Sequence, residues 1–423
     1  MTDDVAVAES DGQEQLPYLA RLCLDGVEEG ARPITDSIYE SADITKSCIV
    51  LSDEGNVVIG TDVESGGPRH RAAYAALSTA PLRYILLPQS HGDHIGGLPY
   101  LLEPGTEVVA QARFSEILGY RYSLWDYFYR RNNRLVGAMF KHRFAGTARP
   151  EPVVPTITFR DSYEFALGGR RFVLLAAPGG ESLDGMVVWL PDERILFTGN
   201  LFGPIIGDLP NLYPIRNDRI RSALAFVRDI NMVLDLQPEL VIQGHGMGTE
   251  LDASTFRLLA TRVRDAVQWL HDTTIAWMND GKDLPRLMRE IELPPDLAVP
   301  ERHGKLPWVV RGIWEEYAGW FDFGSTTTLY GFPPSSVYPE LVELAGGADA
   351  VAARAAARLE ADQPFEALNL IDVALAADPQ NRAALRVKLD ATTEVFRRSS
   401  KDNFFEYGWL TGAMEETREL LDG

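Results

Sequence analysis

Pro88-Gln89-Ser90-His91-Gly92-Asp93-His94-Ile95-Gly96-Gly97 directly follows the apolar run Tyr84-Ile85-Leu86-Leu87. The run reads as a strand, and Gly96 to Leu102 reads as the start of a helix. Two histidines and an aspartate therefore share one loop. Imidazole nitrogens and a carboxylate are donors for a hard or borderline divalent metal. Loops at strand ends are also where such ligands meet substrate. The same residues equally describe a helix N-terminus with a capping aspartate and two surface histidines. The rest of the chain decides between these readings.

Three more segments repeat the strand-then-loop plan. Ala177-Pro178-Gly179-Gly180-Glu181-Ser182-Leu183-Asp184-Gly185 follows a strong strand; its glycines permit a sharp turn, and Glu181 offers a carboxylate. Phe197-Thr198-Gly199-Asn200 ends a second strand, and Ile242-Gln243-Gly244-His245-Gly246 places a histidine after a buried third. A lone histidine is usually structural, and a Gly-rich acidic turn is usually just a turn. Four loops of the same construction argue for one shared site.

The pattern predicts a hairpin from Ser47–Leu51 and Val57–Gly60, a helix over Arg69–Thr79, and strands at Leu82–Leu87 and Val108–Ala110. A second strand set follows Pro155: Ile157–Phe159, Tyr163–Ala166, Arg171–Ala176, a hairpin of Met186–Leu190 with Arg194–Phe197, and Leu240–Ile242 as the last clear strand. Two strand-rich halves, each trailing helices, imply two packed sheets covered by helices. After Thr249 the chain turns helical: Ser254–Met278, Leu284–Ile291, Val309–Phe321, then the alanine-rich Ala348–Ala361, Pro364–Ala377 and Asn381–Arg398. The Asp378-Pro379 break and short helix pairs look like tetratricopeptide packing, but barely two units are present, which fits a helical bundle for dimerisation better than a solenoid. The expected divisions are 1–40 as an N-terminal tail and lead-in, 41–300 as the catalytic domain and 301–423 as the helical domain.

Lys and Arg number 40 against 61 Asp and Glu, a formal charge of −21, which argues against nucleic acid or an anionic membrane as partner. An anionic small molecule is still admissible, because arginines dominate locally inside a cleft. Cys23 and Cys48 form no disulfide framework and read as small buried apolar residues. The acidic start Met1-Thr2-Asp3-Asp4-Val5-Ala6 has no signal-peptide pattern, and no apolar run reaches bilayer length. The default is a cytoplasmic protein with no membrane span and a mobile tail of 15 or so residues.

The order and context of these loops resemble the metallo-β-lactamase fold, an αββα sandwich, here followed by an all-helical domain. Glu181 after Pro-Gly is similar to the alkyl sulfatase branch, where other members use histidine. Leu209-Pro210-Asn211-Leu212-Tyr213-Pro214-Ile215-Arg216 and the long Val310-Arg311-Gly312-Ile313-Trp314-Glu315-Glu316-Tyr317-Ala318-Gly319-Trp320-Phe321-Asp322 also resemble that branch, the latter at the opening of its dimerisation domain, with Leu344–Gly347 and Leu410–Ala413 continuing the likeness. The resemblance is expected not to extend to the sterol-carrier-like domain of longer alkyl sulfatases. The resemblance implies a homodimer and one or two divalent ions, zinc foremost, with iron or manganese as alternatives. It assigns His91 and Glu181 to one ion, with Gln89 in the third place, and Asp93, His94 and His245 to the other. It puts the bridging carboxylate at Gly199 or beside it at Asn200, and Pro210 where those enzymes have a proton-donating histidine.

Three positions therefore depart from the family pattern: Gln89, Gly199 and Pro210. Glutamine is a far weaker zinc ligand than imidazole, whereas Asp93, His94 and His245 keep the three-ligand pattern of a catalytic site. The leading expectation is a hydrolase of a sulfate or related ester using a metal-activated water. Asp93 would orient that water, and Arg216, Tyr213 and Asn211 would contact an anionic substrate with an apolar part. Two alternatives stay open: a non-haem iron redox enzyme, since two histidines and a carboxylate suit iron, and a metal-poor binding protein. Tyr120–Arg131, dense in aromatics and cations, reads first as a helix packed on the core and second as a pocket wall. His70, His142, His271 and His303 read as structural or surface residues.

Overall fold

The β-branched runs pair into two sheets. The computed structural model describes residues 16–25, 30–140, 152–216 and 218–423; the expected tail at 1–15, and His142, lie outside these. The first sheet has the order β1 (Arg32–Pro33), β2 (Ile38–Ala42), β3 (Lys46–Val50), β4 (Asn56–Ile59), β5 (Leu82–Leu86), β6 (Glu107–Gln111), β7 (Ile157–Phe159). The second contains β8 (Ser162–Leu167), β9 (Arg170–Ala176), β10 (Met186–Leu190), β11 (Ile195–Gly199), β12 (Leu240–Gln243) and β13 (Leu251–Asp252), in the order β13-β12-β11-β10-β9-β8. Neighbours run antiparallel up to β4; β4, β5, β6 and β7 are parallel, as are β11 and β12.

Alternating side chains build the layers. Cys48, Val50, Val57, Ile59, Leu86 and Val109 from the first sheet meet Phe172, Leu174, Met186, Val188, Leu190 and Phe197 from the second in one buried cluster. The opposite faces are covered as well. Ile49, Val58, Ile85 and Val108 pack with Ala73, Tyr74 and Phe114 of the helices Gly67–Leu77 and Phe114–Ser123. Val187, Trp189, Leu196 and Val241 pack with Phe226, Ile230, Val263 and Val267 of the helices Ala223–Asp235 and Ala253–Asn279. Burial on both faces explains why β3, β4 and β10 read as continuous apolar runs rather than alternating ones. The αββα sandwich expected from the sequence is present. One assignment differs. Ile157–Phe159 was grouped by pattern with the second strand set, but it pairs parallel to β6 in the first sheet, and the chain changes sheets between Phe159 and Ser162. Sequence proximity to β8 misled the reading, because three residues of parallel edge pairing carry no distinguishing period.

Parallel neighbours bring the C-terminal ends of β4, β5, β9, β11 and β12 to one edge. There the loops are stitched by backbone bonds: Met186 N to Pro88 O at 2.9 Å, Glu181 N to Asn200 O at 3.1 Å and Lys46 N to Gly244 O at 2.8 Å. Asp62, just past β4 with φ 60°, is fully buried. It accepts from Asp43 N at 2.6 Å, Thr45 N at 3.0 Å and Val63 N at 2.7 Å, and it contacts His70 Nε2 at 3.1 Å. His70 is thus structural, as expected. Thr45 Oγ1 in turn donates to the Asp93 carbonyl, so Asp62 indirectly anchors the histidine loop.

By contacts the chain divides into a unit of 1–128 with 147–316 and a unit of 129–146 with 317–423. The second is helical, and its core of Val351, Ala352, Ala355, Ala367, Ile371, Ala374, Ala384 and Ala391 shows why the segment is alanine-rich: small side chains let the helices Ala348–Glu360, Pro364–Ala377 and Arg382–Arg398 approach closely. A terminal helix, Phe404–Asp422, completes it and packs on 129–140, with Gly408 against the Leu135 carbonyl and Arg134 paired to Glu416 at 3.0 Å.

Removing the Asp62 carboxylate orphans two buried N–H groups and one part-buried one, at about 1–3 kcal/mol for each buried group, and leaves a left-handed backbone residue without its local bonds. Asp62→Ala is therefore expected to lower the unfolding free energy by about 3 kcal/mol or more, measured by urea denaturation. A change under about 1 kcal/mol would contradict the anchoring role.

Candidate metal centre

Asp93, His94 and His245 converge at the loop edge, each offering a ligand atom within 4.8 Å of the others. Asp93 Oδ2 lies 3.8 Å from His94 Nε2 and 3.9 Å from His245 Nε2, too far for hydrogen bonds. Both imidazoles are buried, while the Asp93 side chain is 29% exposed and marks the open side. Local structure fixes each one. Asp93 and His94 sit in the single-turn helix Gly92–Ile95, which the chain enters at His91 in an extended conformation. The His94 carbonyl accepts from Thr61 N at 3.0 Å. His245 Nδ1 donates to the Ile44 carbonyl at 2.9 Å, which leaves the Nε2 lone pair facing Asp93. Burial holds the His245 pKa below its ordinary value, and Asp93 opposes the shift. The Asp93 carboxyl is lowered: burial pushes it up, but His94 and then His245 outweigh it.

The second expected ligand set is arranged differently. His91 Nε2 meets Asp218 Oδ2 at 3.0 Å, so this nitrogen carries the hydrogen and Nδ1 holds the lone pair. Gln89 Nε2 donates into that lone pair at 3.1 Å. Glu181 is buried, and both of its oxygens are engaged. Oε1 takes the Arg216 guanidinium and lies 3.5 Å from His303 Nε2; Oε2 accepts from Asn200 Nδ2 at 2.6 Å. Burial would raise the Glu181 pKa, but Arg216 first and His303 next hold it well below the usual carboxylate range. Asp218 is similarly low: against burial, Arg221 at 2.9 Å dominates, followed by the His91 bond. Burial lowers the His91 pKa, with Arg121 adding to it.

The site therefore gathers Gln89, His91, Asp93, His94, Glu181, Asn200, Arg216 and His245. Asn200 spans its two halves: the same Nδ2 that bonds Glu181 lies 3.1 Å from His245 Nε2. Tyr213 is turned elsewhere, its hydroxyl donating to Glu315. Asn211 is buried with neither amide atom hydrogen-bonded, while its carbonyl accepts from Arg221 at 2.7 Å. Gly199 has φ 50°, and a Cβ there would stand 2.9 Å from the Pro88 ring, so no side chain fits without moving the histidine loop.

Sequence reasoning missed several participants. Asp218, Arg221 and Tyr120, whose hydroxyl also donates to Asp218, carry no motif. His303 was set aside as structural or surface; instead it is buried beside Glu181 and its pKa falls to about 3, chiefly by burial. It reaches the site because Leu209 N bonds Pro300 O and Gly304 N bonds Leu209 O, both at 2.8 Å, which draws segment 300–304 against Pro210. The dense aromatic stretch was the available clue for Tyr120: it does form helices, as read, yet Tyr120 and Arg121 at its start face Asp218.

Donor chemistry separates the two halves. His94 Nε2 is buried with no hydrogen-bond partner, and with Asp93 and His245 it presents lone pairs to one point; the His245 lone pair meets one neutral amide, Asn200 Nδ2 at 3.1 Å, which also bonds Glu181, so these residues fit a divalent ion that displaces a single amide contact. His91 Nδ1 and both Glu181 oxygens already accept from protein donors, and Gln89 turns its NH2 to His91, so these three do not fit one.

Residues 43–245 match the family profile of the metallo-beta-lactamase superfamily, and residues 285–419 that of alkyl sulfatase dimerisation. A linear primary-alkylsulfatase of Pseudomonas sp. is 27% identical over 401 residues, covering 87% of this chain and 73% of that protein. An alkyl/aryl-sulfatase of Saccharomyces cerevisiae is 23% identical over 429 residues, covering 94% of this chain and 66% of that protein. A solved stereoselective inverting sec-alkylsulfatase of Pseudomonas sp. superposes with a TM-score of 0.81 at 23% identity, covering 96% of this chain and 68% of that one, which shows a shared fold. The family resemblance, the fold class and the assignment of the chain to the hydrolases are borne out.

Arg216→Ala would leave a buried carboxylate without its cation, a loss of about 3–5 kcal/mol for a broken buried pair. Glu181 is depressed below the ordinary 4.5, so the pair's stabilisation is complete above that value and is lost as pH falls through the folded pKa. The stability gap between wild type and Arg216→Ala is thus expected to be wide at neutral pH and to close on acidification, read from urea unfolding at stepped pH. A gap independent of pH would contradict the pairing.

Proposed function

We propose that this chain, which belongs to the metallo-β-lactamase superfamily and carries an alkyl sulfatase dimerisation domain, hydrolyses sulfate esters in a metal-dependent reaction. The observation that carries the reading is the cluster of Asp93, His94 and His245, with His94 Nε2 buried and lacking a hydrogen-bond partner. A divalent ion there, zinc foremost, would supply acidification of a water and polarisation of the ester. The protein's part is orientation and charge. Ile44 fixes the His245 tautomer, and partly exposed Asp93 orients water at the open side. Arg216 and Arg121, each about one-fifth exposed, bias the cleft toward an anionic group despite the acidic surface. Hydrolysis consumes one water and yields an alcohol, sulfate and a proton. The alkylsulfatase relatives support a substrate with an apolar chain. The two-histidine, one-carboxylate set also suits mononuclear iron, a second reading that the identity of the bound metal decides.

No helix among the described residues is long and apolar enough to cross a membrane. The helical unit instead exposes Trp320 at 72%, Phe323 at 86%, Tyr330 at 71% and Phe332 at 64% within one short segment. Large clustered apolar exposure marks an interface, and a second copy of the chain is the partner that the dimerisation profile supports.

Two outcomes test this reading. Sulfate release from a medium-chain alkyl sulfate, followed by ion chromatography, is expected to vanish after chelation, to return on adding metal back, and to fall by at least about 100-fold in His94→Ala. Activity that survives both treatments would place the chemistry elsewhere. Light scattering is expected to give twice the 46.9 kDa chain mass, falling toward the monomer in Trp320→Glu/Phe332→Glu; a monomeric wild type would remove the interface.

A further inference from the structure

In the half of the site built on Gln89, His91 and Glu181, Gln89 presents hydrogens, and the lone pairs of His91 Nδ1 and Glu181 already accept from protein N–H groups. The tautomers are forced. His91 Nε2 must donate to the Asp218 carboxylate at 3.0 Å, so Nδ1 is an acceptor and Gln89 must turn its NH2 toward it. His245 Nδ1 must donate to Ile44 O, and Glu181 Oε2 is an acceptor, so Asn200 also presents its NH2. Arg216 brings a third donor to Glu181 Oε1. Three N–H groups thus face the positions that the family pattern reserves for a metal and its bridge. The charges agree. Two carboxylates, Glu181 and Asp218, are met there by three guanidiniums, Arg216, Arg221 and Arg121. A dication would enter surroundings where Glu181 and Asp218 are already neutralised by fixed cations.

We infer that the protein binds one metal ion per chain, at Asp93, His94 and His245, and that the Arg216 guanidinium locked to Glu181 permanently supplies the charge of the second ion. The inference rests on the metal-dependent reading above and sharpens it: the chain is a one-metal member with an arginine-filled second half. Glu181 is then a counter-ion and not a ligand, and Gln89 is a lock on His91 and not a weakened ligand.

The test is metal content of the full chain, purified and then equilibrated with excess zinc, by plasma mass spectrometry after dialysis. One ion per chain is expected. It should persist in Glu181→Gln/Arg216→Met, which removes both charges together and leaves no buried charge alone, and it should be lost in His94→Ala. Manganese-loaded wild type should show the paramagnetic spectrum of isolated ions, without spin coupling between neighbours. Two ions per chain or a coupled spectrum would overturn the inference while leaving metal-dependent hydrolysis standing. Loss of metal from a folded Glu181→Gln/Arg216→Met chain, with circular dichroism unchanged, would also overturn it by making Glu181 a ligand. No metal in wild type would remove the metal-dependent reading itself. The wild-type count decides the matter even if a variant does not fold.

Discussion

Buried carboxylates must be neutralised, and the loop edge of this sandwich depends on how four of them are. Isolated, each would cost several kcal/mol in a low-dielectric interior. Asp62 is met by three backbone N–H groups and His70. Asp218 is met by Arg221, Arg121, His91 and Tyr120. Glu181 is met by Arg216 and Asn200, with His303 nearby. Asp93 faces the imidazoles of His94 and His245 at distances beyond a hydrogen bond. The first three are structural solutions within the protein. The fourth is open, and under the proposed function an external cation would complete it.

The architecture makes that contrast possible. Parallel strands deliver several loops to one edge, and buried charge clamps them there. Glu40, fully buried, pairs with Lys46 at 3.0 Å and accepts from Gly248 N at 2.7 Å, while Arg32 joins it to Glu250. With Lys46 N bonded to Gly244 O, this network fixes the turn that carries His245. The His91–His94 loop is held by Thr61 and by Met186 N on Pro88 O. Asp93, His94 and His245 are thereby placed on a rigid frame, which is the condition for a site of defined geometry.

Much of this was legible in the sequence, for physical reasons that differ by residue. His91, Asp93 and His94 were legible because a strand run and a glycine pair frame them within ten positions. Glu181 and His245 were legible because they repeat the strand-then-glycine plan. The two sheets and their helices followed from period and length, with β7 misplaced because so short a parallel edge strand has no signature. Asp218, Arg221 and His303 were invisible: their roles arise from contacts across large sequence separations and have no local pattern. For the same reason Arg216 could be noticed as a cation for anions, but its partner Glu181, 35 residues away, could not. Tyr213, chosen by likeness alone, bonds Glu315 instead.

The odd residues of the site gain coherence when taken together. A glutamine for a histidine, no carboxylate at Gly199 or Asn200 where the bridge is expected, and Pro210 in place of a histidine would be three independent losses in a degenerating two-metal centre. Decay, however, predicts orphaned polar groups, since nothing maintains their partners. Here the groups that depart from the family pattern are paired on that side: Gln89 with His91, Asn200 Nδ2 with Glu181, and Arg216 with Glu181, each within hydrogen-bond reach, while Asn200 Oδ1 and the Asn211 amide atoms make no hydrogen bond. On the other side, the orphaned atom is His94 Nε2, where an orphan is what an ion requires. Satisfied donors in one half and an unsatisfied lone pair in the other are what a site rebuilt around one cation and one fixed guanidinium would show, because each substitution removes a need for charge that another residue has already met.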